Sequence, residues 1–200
     1  MELFFADACP YAHRVRALLT LLGEPFESHV IDLSHKPADF LALSPTGAVP
    51  LFRDGSLILY ESAVINEYLA ERSQWRHAFS TEAGQRARER LAIKRFDDVV
   101  LPIMYQSFRT STVLKEKPLW RAEVKELVST SANSRPESLL GLHLATHWVR
   151  VLRAFPDNEV VSELAMGLGP FLAAAADLEA IVATNPNFEV TIPHLRAKFG

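Results

Sequence analysis

The sequence predicts two domains of different class: an α/β domain over residues 1–75 and an all-α domain over residues 82–200. Three observations point there. Short β-like and helical runs alternate through residues 1–71. VPLFRDGSLILY, inside that stretch, reads as a β-hairpin. From Glu82 onward apolar residues recur at helical spacing and no convincing strand is seen.

The elements follow in order. Leu3-Phe4-Phe5 is a short apolar strand, and a loop runs on through Pro10. Val15, Leu18, Leu19 and Leu22 then recur at helical spacing, with Gly23 as the stop. Phe26 to Ile31 alternates like a strand, and a short helix follows Pro37. Two β-like runs flank Asp54-Gly55, read as a two-residue hairpin turn. Ser62 is the expected N-cap of a helix carrying Val64, Ile65, Tyr68 and Leu69. The order is β-α-β-α-β-β-α, with the first two strands parallel across a right-handed helical crossover. RSQWRHAFST reads as a linker. A long helix is expected over roughly 82–112 with a kink at Pro102, and another over about 117–131. Further helices are expected near 138–154 and 159–183, the latter interrupted at Gly167-x-Gly169-Pro170, while the tail from Asn185 is left unassigned.

Composition narrows the function classes. Apolar residues make up 48% and charged residues 22% of 200, and the net charge is 21 − 24 = −3. The basic residues are scattered, so nucleic acid is not an expected partner. The most apolar stretch, Leu164 to Ala183, holds Gly167, Gly169, Pro170, Asp177 and Glu179, so no membrane is expected either. Asp7, His13, Arg14 and Arg16 break any apolar core of a secretory leader. One cysteine cannot form an internal disulfide, and a cytoplasmic location is expected.

That cysteine is Cys9, in ADACPYAHRVRALL. Pro10 suits the first helical turn, where its missing N–H costs nothing. Cys9 then stands at a helix start, where unpaired N–H groups and the helix dipole favour an anion. Thiols in such settings commonly fall from a pKa of about 8.5 to ~3.5–7.5. The competing reading is a buried structural cysteine; the strand-to-helix position favours reactivity. Ala12 stands where a second cysteine would be needed for a dithiol cycle.

Cys9-Pro10-Tyr11-Ala12 with Arg14-Val15, then Gly47-Ala48-Val49-Pro50, then Glu61-Ser62 resemble, in that order, motifs of the glutathione transferase superfamily in its cysteine-containing, omega-like form. The resemblance is good over about 1–72. The family's core helix opens with Ser/Thr-x-x-Asp, whereas Ser138 is followed at that distance by Gly141 and Asp177 is preceded by Ala174. The resemblance implies a thioredoxin-like first domain and glutathione as co-substrate. It implies a cis Pro50, with Val49 pairing through its backbone to the ligand's cysteine. Ser62 would bind the γ-glutamyl carboxylate, Glu61 the ammonium, and Lys36 the glycine carboxylate, with a plain surface lysine as the alternative. Tyr11 would line the thiol pocket or simply pack.

A thiol transferase or reductase working through a Cys9–glutathione mixed disulfide is therefore expected, with a role in redox or detoxification chemistry. Its second substrate would be a small electrophile or disulfide, lying between the domains. The alternatives are conjugation or isomerisation of electrophiles, or a non-enzymatic binding protein, as in bacterial relatives that bind RNA polymerase. A homodimer is implied by the resemblance. Met104, Tyr105, Phe108 and Arg109 are either pocket lining or core. His143 and His147 share a helix face, but Leu144 stands where a zinc protease needs Glu, so no metal is expected. His13 is either a neighbour of the thiol or an exposed helix residue.

Overall fold

The computed structural model describes residues 1–109 and 118–199, and the chain divides into two compact units. The first is Met1–Arg76 together with Glu179–Asn187; the second is His77–Leu178 together with Phe188–Gly200.

In the first unit β1 (Glu2–Phe5), α1 (Pro10–Leu22), β2 (Glu27–Val30), α2 (Ala38–Leu43), β3 (Leu51–Asp54), β4 (Leu57–Tyr60) and α3 (Ser62–Arg72) form a thioredoxin-like α/β fold. The sheet order is β2-β1-β3-β4. β1 and β2 are parallel, Phe5 opposite Val30, as a helical crossover requires. β3 is antiparallel to both β1 and β4. Leu3, Val15, Leu18, Leu19, Leu51, Ile65 and Leu69 are buried as its core. α1 stops where expected. Gly23 takes φ +66°, its N–H bonds Thr20 O, and Glu24 N–H reaches back to Leu19 O, closing the helix end.

Two expectations shift by one residue. Asp54 stays in the ladder opposite Leu57, so the hairpin turn is Gly55-Ser56 rather than Asp54-Gly55. The Asp54 carboxylate accepts from the Tyr68 hydroxyl at 2.9 Å and pairs with Arg72 Nε at 3.1 Å, which holds it in the strand. Gly55 takes the positive φ of +60° that a tight hairpin needs. Ser62 is the first residue inside α3, and the N-cap is Glu61.

Across the sheet, Arg53 bridges to Glu2 with Nε 2.7 Å from Oε1. The guanidinium, then the His29 ring, hold the Glu2 carboxyl below the usual carboxylate range. Glu2, Glu27 and His29 bring three potential metal-ligand atoms within 4.8 Å of one another, and Arg53 supplies the cation there.

Glu179–Asn187 carries α9 (Glu179–Ala183), which packs on α1. Ala180 and Ile181 are buried, and His13, wholly buried on α1, has Nε2 3.3 Å from Ile181 O.

The second unit is helical throughout its described residues. α4 (Ala83–Arg95) starts at Glu82, whose carboxylate accepts from Gly84 N and Gln85 N. Helix continues through a wide turn over Phe96–Val100 into α5 (Leu101–Arg109). In that turn Leu101 N–H bonds Phe96 O, five residues back. Pro102 follows at once; it has no N–H to give, and the wider turn makes room for its ring. The single long helix is thus divided ahead of its proline, and its expected last residues, 110–112, lie outside the described residues, as does residue 117. α6 (Pro118–Ser131), α7 (Leu139–Ala154), α8 (Glu159–Ala176) and α10 (Phe188–Phe199) complete the unit. α8 runs unbroken through Gly167-x-Gly169-Pro170 and ends at Ala176, earlier than expected. By length and composition α8 could cross a membrane, but Val160, Val161, Leu164, Leu168 and Leu172 are buried against its neighbours. The unassigned tail is α10, with Pro193 inside it.

α7 is buried on nearly every face. Ser138 is its N-cap, with Oγ accepting from Gly141 N at 3.3 Å. The residue three places on is glycine for a steric reason. A Cβ at position 141 would lie 1.8 Å from the Pro136 carbonyl oxygen and 2.6 Å from its carbon, both backbone atoms. No aspartate fits there, so the hydroxyl caps the helix alone.

Two outcomes follow. Gly141→Ala should lower unfolding stability by about 1–3 kcal/mol in urea denaturation, because backbone must move to admit the methyl. The Glu2 carboxyl, held low when folded, stabilises the fold above its unfolded pKa, and that contribution fades as pH falls through the folded value. The stability gap between wild type and Glu2→Gln should therefore close below pH ~4, read as converging urea midpoints.

Candidate functional site

The first unit gathers most of the expected residues at one edge. The strand-to-helix loop after β1 puts Cys9 at the N-cap of α1, with φ −76° and ψ 116°. His13 N bonds Cys9 O as the first intrahelical bond, so the N–H groups of Tyr11 and Ala12 precede the helical ladder. The half-buried Cys9 Sγ lies 3.7 Å from Val49 O. The Val49–Pro50 peptide is cis, as expected.

Tyr11, Thr46, Ala48, Val49, Pro50, Tyr60, Glu61 and Ser62 line an open groove of about 190 Å³. At one wall α3 begins. Glu61 caps it at φ +68°, ψ 104°, a left-handed conformation that costs a non-glycine residue about 1–3 kcal/mol. The result is that the Glu61 side chain stays exposed while Ser62 turns inward, 5% exposed. Ile65 N bonds Glu61 O, leaving the N–H groups of Ser62, Ala63 and Val64 ahead of the first helical bond. A hydroxyl and these donors make a site suited to a carboxylate.

Lys36 is exposed, its Nζ donating to Gly47 O at 2.9 Å, so it braces the segment that leads to Val49. Tyr11 is 36% exposed on the groove wall. His13 is wholly buried rather than exposed, and its Nε2 lies against α9. In the second unit His143 and His147 are core residues, both edge-on to Phe96, and His143 Nε2 lies 3.0 Å from Asp97 Oδ1. Met104 is buried beside a small apolar cavity of about 20 Å³ that His147 and Trp148 also line. Phe108 stacks on Phe155 at 4.0 Å, Tyr105 meets Phe108 edge-on, and Arg109 Nη2 reaches Lys198 O at 3.5 Å. Trp120 is buried with Nε1 on Glu163 at 2.8 Å.

Arg14, which the sequence motif includes and to which it assigns no catalytic role, pairs within the site. Arg14 is 0% exposed, and its Nη1 donates to Ser62 Oγ at 3.3 Å. A fully buried arginine is rare unless paired. The signal was its place one turn after Pro10, on the face that carries Tyr11 and looks toward α3.

Residues 8–72 match the protein family described as "Glutathione S-transferase, N-terminal domain". Over 83 residues the chain is 37% identical to a probable glutathione transferase of Aplysia californica, across 42% of this chain and 90% of that protein. It is 31% identical over 126 residues to a stringent starvation protein A homolog of Haemophilus influenzae, across 63% of this chain and 58% of that protein. It thus spans less than two thirds of the length of that relative and its like. The crystal structure of glutathione transferase Omega 2C from Trametes versicolor shares the fold, with a TM-score of 0.80 over 99% of this chain and 97% of that one, at 20% identity.

The left-handed cap can be tested. Glu61→Gly should be more stable than Glu61→Ala by about 1 kcal/mol in urea titration, since both lack the carboxylate and glycine alone adopts that φ without strain.

Proposed function

From the premise that this chain belongs to the glutathione transferase superfamily, we propose that it is a cytoplasmic, glutathione-dependent thiol transferase or reductase with Cys9 as nucleophile. The observation that carries this reading is the 3.7 Å approach of Cys9 Sγ to Val49 O. Val49 is the residue whose backbone would pair with the ligand's cysteine, so the two sulfurs would meet at the start of α1.

The ligand's parts have chemical partners around the groove. Ser62 and the first N–H groups of α3 suit the γ-glutamyl carboxylate, and Glu61 its ammonium. Val49 and Pro50 offer backbone to the cysteinyl residue, and Tyr11 covers it. Lys36 reaches the glycine carboxylate on release from Gly47 O. In the first step the Cys9 thiolate attacks the glutathionyl sulfur of a mixed disulfide. The Cys9–S–S–glutathione bond forms, the old S–S bond breaks, and the departing thiolate takes a proton. A second glutathione thiolate then attacks the glutathionyl sulfur, releases glutathione disulfide and restores Cys9. Ala12 leaves no resolving thiol at that position, which supports the one-thiol cycle. The second substrate is a small disulfide or electrophile, and the working form is a homodimer.

A second reading, a starvation-response regulatory protein on the same fold, is favoured by the similarity to stringent starvation protein A homologs. Glutathione-dependent disulfide reduction by wild type and Cys9→Ala separates the two. The reductase reading requires a fall of at least about 100-fold in the variant, in line with loss of a nucleophile, and a glutathionyl adduct on wild type by intact mass. Full activity without the thiol overturns it, and no turnover or adduct in wild type favours the regulatory reading.

A further inference from the structure

Arg14 touches two walls of the groove from behind. Its guanidinium carbon sits 4.9 Å from the centre of the Tyr11 ring, and its Nη1 donates to Ser62 Oγ. Its backbone is fixed as well, with Asn66 Nδ2 donating to Arg14 O at 3.2 Å from α3. Arg14, Ser62 and Asn66 are all buried.

The direction of the Arg14–Ser62 bond has a chemical consequence. A guanidinium has donors and no acceptor. The Ser62 hydroxyl can only accept from it, so its one proton is left to point elsewhere. Ser62 lines the groove, in the company of the first N–H groups of α3. A cation on one side of a hydroxyl also polarises its O–H toward an anion on the other. We propose that Arg14 is a positioning residue that makes Ser62 a directed donor and so gives the groove its preference for a carboxylate over a neutral group at the α3 end. This deepens the glutathione reading above and rests on it.

The preference can be measured with glutathione and an analogue in which the α-carboxylate of the glutamyl residue is a carboxamide. Shape is kept and the charge is removed. Binding to the full-length protein is followed by calorimetry. Wild type should bind glutathione about 10- to 100-fold more tightly than the amide, the range for a hydrogen bond to a charged group. In Arg14→Met the glutathione affinity should fall about tenfold while the amide affinity stays within about twofold, so the ratio collapses. Ser62→Ala should lose the same discrimination, and adding Arg14→Met to it should cost little more, because the two act through one hydroxyl.

Equal weakening of both ligands in Arg14→Met marks a merely structural residue and overturns the proposal, as does an unchanged ratio. Should Arg14→Met not fold, Arg14→Gln removes the charge and offers the Ser62 hydroxyl an acceptor to turn to. An unchanged ratio there overturns the proposal, and a fall in the ratio upholds it. If wild type binds neither ligand, the glutathione reading itself fails and the Arg14 role falls with it. If wild type binds and discriminates while the Arg14 variants discriminate equally well, only the Arg14 role fails.

Discussion

A chain that passes from strand to loop to helix leaves the first turn's N–H groups without helical acceptors. The first unit does this twice at one edge, at the start of α1 and at the start of α3, and the groove is built on those two ends. Cys9 caps one and Glu61 caps the other. Neither side chain makes a capping hydrogen bond to its helix. The sheet supports this arrangement from beneath. β1 delivers the chain to Cys9, β3 follows directly on Pro50, and β4 delivers it to Glu61. Their pairing fixes the separation of the two helix starts.

The α/β order, the parallel first pair, the helix start at Pro10 and the stop at Gly23 were legible because proline, glycine and alternation act locally. The cap of α3 was not. Ser62 has the right side chain for an N-cap, but a left-handed Glu61 takes the position and turns the serine toward Arg14. The partner of that serine is a buried charge 48 residues earlier, which no local pattern contains. The burial of His13 was not legible for the same reason, since Ile181, which its ring meets, lies 168 residues on. The hairpin slipped by one because Asp54 answers to Tyr68 and Arg72 as well as to the turn.

The helical unit shows how far a motif can depart and still serve. Where the family uses a serine and an aspartate three apart, this chain has Ser138 and Gly141. The carbonyl of Pro136 fills the space a side chain would need. The cap survives through the hydroxyl alone, and Leu139 N is held separately by Ala78 O at 2.9 Å. Similarly, Gly167 lets α8 lie close to Val128 on α6, where a methyl would come within 2.7 Å of Cγ2. Gly167, which looks like a helix break in the sequence, is a place where two helices touch.

The first unit is written in two pieces, and the second piece arrives late. Residues 1–76 hold the sheet, the thiol and the groove, but the face of α1 that α9 covers is closed only by residues 179–187. On a ribosome those residues emerge only after all of His77–Leu178. The nascent first unit therefore waits, with that face of α1 uncovered, while the intervening helices are made. A fragment cut after the sheet domain would stay in that unfinished state, so for this chain the boundary of the folding unit and the boundary of the sequence motif are different things.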